Sequence, residues 1–362
     1  MQSGLTIVEL AQRVQAKAES NRDFVLDTRD MSMNEDASLK LVLPDVNSVV
    51  VGVAGERTIP VTEHAHDQIG ARLKIPAVYY DRMRKDHPAL LAQNVNHLFR
   101  AEPERRMVRT GEGGVRAFLS DRYRRLDDIQ VMRDAVLPIL GESEDLTVVS
   151  SQVTEKRLYL KVASRTVKGE IKVGDEVMAG FILSNSEIGM GALSVAPFIT
   201  RLVCMNGAKV DTLGKRKLHV GRQVEEDGEL FSDQTLKADD HAFMLKVRDM
   251  VRLAVDQKQF DIVVNRMKDS MAVTLPHEKP ADAIVELGKI GMLREGEVDL
   301  VAQILLMNAH RDGLSQFGVA QAITQVAGTD AVSYDRSTEL ESLGGTILLM
   351  QGRDFERIVR AA

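Results

Sequence analysis

The sequence predicts an α+β fold: a mixed, β-rich central domain with a hairpin–helix–sheet core, a helical insert in the N-terminal part, and a helical C-terminal region. Three observations predict it. Short segments with proline or threonine starts fill 62–99, apolar strands punctuated by glycine fill about 104–225, and apolar residues recur at helical spacing from about 233 onward. The divisions that follow are 1–100, 101–230 and 231–362.

Taken in order, Thr6-Ile7-Val8-Glu9 has capping-box form, and Ile7, Leu10, Val14 and Ala18 line one side of the helix it starts. Leu39–Leu43 and Ser48–Val53 read as strands joined across Pro44-Asp45. Thr62 caps a short helix to Leu73. Ile75-Pro76 then resets the chain into a second helix, Ala77 to Lys85, and Pro88 opens a third that reaches Phe99. Arg105–Thr110 and Val115–Ser120 flank Gly111-Glu112-Gly113-Gly114, which is the chemistry of a hairpin turn. On strict alternation Arg105, Met107 and Arg109 share one face; on the second strand Arg116, Phe118 and Ser120 share a face and Val115, Ala117 and Leu119 the other.

Asp127 and Asp128 precede an amphipathic helix, Ile129 to Leu140, that ends at Gly141. Strands follow at Leu146–Val153, Arg157–Ala163, Val177–Leu183, Leu193–Cys204 and Leu218–Val220. Ser232 or Asp233 caps one long helix reaching Met271, and further helices lie near 281–290, 297–310, 315–327 and 337–343.

The 362 residues are 44% apolar, ample for sizeable cores, and 28% charged with both signs mixed. A single cysteine, Cys204, excludes an internal disulfide and any cysteine-based zinc cluster, and fits a reducing compartment. The start MQSGLTIVEL lacks a signal-peptide pattern, and no run approaches the roughly 20 apolar residues of a membrane span. A cytoplasmic location without membrane contact is the expectation.

Charge is distributed unevenly. Eight arginines fall between Arg100 and Arg125 in a chain whose net charge is -6. Such a cluster is either an ion-pair network or an anion-binding surface. Arg105, Arg116, Arg122, Arg124 and Arg125 are candidates for phosphate contact through guanidinium forks, and Tyr123, between two of them, for stacking on a base. Phe118 is a second stacking candidate. The same arginines can instead pair with Glu102, Glu104, Asp121, Asp127 and Asp128. A second basic stretch carries Arg201, Lys209, Lys215, Arg216, Lys217 and Arg222 against one acid, Asp211. It is either a phosphate-contacting loop or a solvated hairpin tip.

No complete catalytic motif is present. The segment Ser184–Gly191 is neither a phosphate-binding P-loop nor a dinucleotide fingerprint, and Glu187 within it is a lone carboxylate. His64 and His66 are too close together for a helical zinc pair, and the other histidines are isolated.

Several blocks carry a family resemblance. FLSDRYRRLDD at 118–128, NSEIGMGALSV at 185–195, RLVCMNG at 201–207 and FGVAQAITQVA…SYDRSTELESLGG at 317–345 resemble the phage/plasmid-like family called domain of unknown function 932, as do IPAVYYDRM at 75–83 and LLAQNVN at 90–96. The resemblance runs over roughly 58–350. It implies a mobile-element protein of DNA metabolism, and the expected function is single-stranded DNA binding with strand annealing in recombination. A homo-oligomer follows from that role, with a single-strand-binding protein or a nuclease as possible partner. No cofactor is expected. One alternative is a metal-dependent nucleic-acid-processing enzyme, with Glu187, Asp121 or Asp128 holding magnesium. The other is a non-enzymatic host-interaction protein.

Overall fold

The computed structural model describes residues 2–43, 55–123, 125–202, 206–210, 233–275, 280–289 and 292–359. The fold is α+β. The chain runs α1 (Ile7–Ser20), β1 (Arg22–Asp27), β2 (Met31–Met33), β3 (Leu39–Leu43), β4 (Gly55–Ile59), α2 (Glu63–Arg72), α3 (Ala77–Asp86), α4 (Pro88–Ala101), β5 (Arg105–Gly111) and β6 (Gly114–Ser120). It continues with α5 (Asp128–Val131), a π-helical stretch (Met132–Val136), α6 (Leu137–Glu142), β7 (Leu146–Val153), β8 (Leu158–Glu170), β9 (Glu176–Asn185), β10 (Ser194–Arg201) and β11 (Asn206–Lys209). Helices α7 (Asp233–Ala254), α8 (Gln257–Ala272), α9 (Pro280–Lys289), α10 (Glu295–Met307), α11 (Ala309–Asp312), α12 (Gln316–Ala327), α13 (Tyr334–Leu349) and α14 (Gly352–Val359) complete it. Among the described residues, no helix is long and apolar enough to cross a membrane.

The strands form three antiparallel sheets, ordered β1-β5-β6, β2-β3-β4 and β11-β10-β9-β8-β7. Helices α2, α3 and α4 close the first two sheets, burying Ile69, Tyr80, Leu91, Val95 and Phe99 against Leu39, Leu41, Val108 and Phe118. One face of the large sheet carries Leu158, Leu160, Val162, Phe181 and Leu183, packed on Leu10 and Val14 of α1, on the 131–139 helix and on α7. Its opposite face presents Tyr159, Ile182, Ala196 and Phe198 to Tyr334 of α13. Pairing and packing cross both expected divisions, since β1 pairs with β5 and α7 covers β9 and β10.

The local signals hold where the chain decides for itself. Thr6 and Glu9 form a reciprocal capping box, and Thr62 accepts from the Ala65 amide. The hairpin turns at Glu112 and Gly113, with Gly111 paired to Gly114. Gly114 sits at φ +113°, and a Cβ there would lie 2.2 Å from the Pro60 carbonyl oxygen, so only glycine fits.

Three expectations change. The single helix from 233 to 271 is two helices, because Asp256 caps a new start by accepting from the Gln259 amide and lets α8 fold back onto the sheet. Strict alternation fails in the hairpin. A bulge opposite Arg109 and Thr110 pairs Thr110 with Val115 but Arg109 with Ala117, so Arg116 turns to the Arg109 side and Val115 joins Val108 and Phe118. Strand β10 ends at Arg201, before Cys204. The expected strands at 48–53 and 218–220, and Cys204 itself, lie outside the described residues.

Candidate nucleic-acid interface

The arginine-rich hairpin has two populations. The first is buried and ion-paired. Arg109, 1% exposed, donates from Nε to Asp23 Oδ1 at 2.9 Å, from Nη2 to Asp127 Oδ1 at 2.5 Å, and from Nη1 to the Glu187 carbonyl at 2.6 Å. Arg116 donates from Nη1 to Glu187 Oε2 at 2.5 Å. Arg106 is half-buried, 5.0 Å from the Phe118 ring centroid and 3.4 Å from Glu104.

Glu187 is the hub of this network. Its Oε2 also lies 3.0 Å from Lys17 Nζ, and its Oε1 accepts from the Asp128 amide at 2.7 Å, the first turn of α5. Lys17 reaches Asp128 Oδ2 at 3.0 Å, and Asn185 Nδ2 donates to Asp128 Oδ1 at 2.8 Å. The ammonium of Lys17 therefore sits between two buried carboxylates. Burial pushes the Glu187 carboxyl up, but Lys17, Arg116 and the Asp128 amide outweigh it, and the net shift is down. Asp128 is driven up, first by burial and then by the Glu187 charge, against the pull of Lys17.

The second population faces solvent. Arg105 and Arg122 are exposed; Arg105 stands across the ladder from Asp27, whose carboxylate is held mainly by Arg29. The side chain of Arg125 is 55% exposed and meets Asp23 Oδ2 at 3.2 Å. By alternation Arg105 shares its face with Met107 and Arg109, and the 121–127 segment returns over that face through Tyr123, Arg125 and Asp127. The structure thus places Arg105 and Arg125 on one side of the β1-β5-β6 sheet, with Arg122 exposed in the turn between β6 and Tyr123.

Other expected contacts are corrected. Tyr123 packs on Met107, Ala117, Leu119 and Ile188, and its Oη donates to the Ser186 carbonyl at 3.4 Å. Phe118 is buried, stacked on Phe99 with centroids 5.8 Å apart. Neither ring is presented to a base, because the core beneath α4 takes Phe118 and the contact between the hairpin and the 186–190 loop takes Tyr123. Arg201 is also withdrawn from phosphate: it is 2% exposed, bound to Asp175 Oδ2 at 2.5 Å and Asp312 Oδ1 at 2.8 Å, with its guanidinium 5.2 Å from the Phe317 ring. Arg116 is withdrawn by Glu187. Arg124, Lys215, Arg216, Lys217 and Arg222 lie outside the described residues.

For the metal alternative, Asp128 and Glu187 do meet, but Lys17 Nζ lies at 3.0 Å from each, where a cation would bind. Asp121 is exposed and is not part of this centre. Among the described residues no group of three or more His, Cys, Asp or Glu side chains is placed to hold a metal. His66 is buried against the Tyr80 hydroxyl at 2.9 Å, and burial lowers it to about 4.

The hidden partners carried no local signal. Asp23 and Lys17 lie 86 and 111 residues from Arg109 and Asp128 respectively. No protein-family model matches the chain, and neither a curated protein nor a solved structure matches it.

Proposed function

We propose that this chain is a non-catalytic nucleic-acid-binding protein that holds a single strand on the Arg105–Arg122–Arg125 surface. One observation carries the proposal: Asp23 and Glu187, from elsewhere in the chain, take up Arg109 and Arg116, while Arg105 and Arg122 stay exposed and Arg125 stays 55% exposed beside Asp23. Asp23, Asp127, Asp128 and Glu187 neutralise Arg109, Arg116 and Lys17 and fix the hairpin from beneath. A rigid base lowers the ordering cost of binding for the residues above it. Guanidinium forks suit phosphate oxygens.

Strand annealing in recombination, on a phage or plasmid and by a homo-oligomer, is the narrower form of this proposal. It rests on the family resemblance of the 118–128 and 185–195 blocks.

Binding of a fluorescent oligo-dT, followed by anisotropy over a salt series, tests the first statement. Each phosphate contact on a single strand contributes about −0.7 to the log–log salt slope, so three arginines give a slope of about −2. The triple variant Arg105→Gln, Arg122→Gln, Arg125→Gln, with folding intact by circular dichroism, loses most of that slope. Absence of any binding at low salt overturns the proposal. Acceleration of pairing between complementary strands tests the narrower form.

A further inference from the structure

Aromatic rings that read bases must be exposed, and among the described residues every Phe and Tyr ring but that of Tyr79 is buried or half-buried. Phe118 and Tyr123 are the aromatics nearest the exposed arginines, and both are held in apolar seams, Phe118 against Phe99 and Tyr123 against Met107, Leu119 and Ile188. The Tyr123 hydroxyl is tied to the Ser186 carbonyl, and its backbone amide donates to the Ser120 carbonyl at 3.0 Å, so ring and main chain are both anchored. Turning Tyr123 outward would open the contact between hairpin and the 186–190 loop, where Glu187 is fixed by Lys17 and Arg116. Across the described residues Tyr79 is the only exposed aromatic, at 50%, and it lies on α3 beside the exposed Val78. What remains exposed there for a phosphate to meet are the guanidinium groups of Arg105, Arg122 and Arg125, with Glu112 and Asp121 exposed nearby in the sequence.

We infer that this surface recognises the phosphodiester backbone of its ligand and is indifferent to the bases, an inference that rests on the nucleic-acid reading above. Guanidinium groups take phosphate oxygens whatever base is attached. Stacking on a ring is the interaction that makes single-strand binding depend on the presence of bases. With no exposed Phe or Tyr ring beside these arginines among the described residues, an abasic strand presents everything this surface contacts.

The experiment compares an oligo-dT with an abasic deoxyribose-phosphate oligomer of equal length, on the whole chain, by anisotropy and by competition. The expected result is affinities within about threefold and equal salt slopes, with both ligands weakened alike by the Arg105, Arg122 and Arg125 triple glutamine variant. One stacked base is worth on the order of tenfold in affinity. An oligo-dT that binds tenfold or more tightly than the abasic strand overturns base indifference and leaves nucleic-acid binding standing. Binding of neither ligand overturns both. Tyr79→Ala is the second variant: it is expected to leave both affinities unchanged, and a selective loss of oligo-dT binding overturns the inference.

Discussion

Lys17 shares its ammonium between Glu187 and Asp128 and pulls both down, yet burial and the Glu187 charge hold Asp128 up, while Arg116 and the Asp128 amide join Lys17 in carrying Glu187 down. Glu187 is lowered, so its stabilisation is present above its unfolded value near 4.5 and is lost as pH falls below it. Asp128 is raised, so the folded state binds its proton more tightly than the unfolded chain. The stability linked to it is fully present below 3.8 and falls as pH rises through the folded value. Glu187→Gln should therefore destabilise the protein by about 3 kcal/mol at pH 8, because Lys17 and Arg116 lose a buried counter-charge. Asp128→Asn should be neutral or stabilising at pH 8, since the amide keeps an acceptor for Asn185 and removes the like charge beside Glu187. Urea unfolding midpoints of both variants at pH 5 and pH 8 check the signs. A loss above about 2 kcal/mol for Asp128→Asn at pH 8 would contradict them.

At the scale of elements, the β5–β6 hairpin decides which arginines are available. Its bulge moves Arg116 onto the Arg109 side and so into reach of Glu187, while leaving Val115 in the apolar core with Val108. Its turn depends on Gly114, whose positive φ brings the strand against Pro60 and lets the Val115 amide donate to the Pro60 carbonyl at 2.7 Å. Gly114→Ala meets both a disfavoured backbone region and a backbone oxygen that cannot move aside cheaply. A loss of about 2 kcal/mol or more is expected, read from thermal or urea unfolding, whereas Gly113→Ala, with open space around its Cβ position, should cost under about 1 kcal/mol.

For the whole molecule, the large sheet is the frame and α13 is docked on it through a buried ion pair. Lys161 Nζ lies 2.6 Å from Glu341 Oε2, both side chains 0% exposed, with the ammonium 4.7 Å from the Tyr334 ring centroid. Burial lowers Lys161 and raises Glu341, so both are pushed towards their neutral forms. Lys161→Met alone should destabilise by about 3–5 kcal/mol because it strands a buried carboxylate. The double variant with Glu341→Leu should recover most of that loss. A double-mutant cycle in urea measures it, and additive losses would rule out the pairing as the cause. The N-terminal segment ties the same layers together: Gln2 Nε2 donates to the Thr329 and Val332 carbonyls, and the Leu5 amide to the Ser151 carbonyl at 2.7 Å.

What the sequence by itself determined lies within a few residues of each signal. The Thr6–Glu9 capping box, the proline-started α4, the Gly111–Gly114 hairpin and the amphipathic helices of the C-terminal half follow from caps, turn chemistry and period, which act locally. The short β2 and β4 gave no such signal and exist because β3 pairs with both. Tertiary structure alone decided which charges are spent. Arg109 finds Asp23, Arg116 finds Glu187 and Arg201 finds Asp312 across 86, 71 and 111 residues of chain. A run of arginines in sequence fixes a local charge density. Only the folded chain settles whether an acid from elsewhere arrives to bury it, because a guanidinium enters a low-dielectric interior only when a partner meets it there.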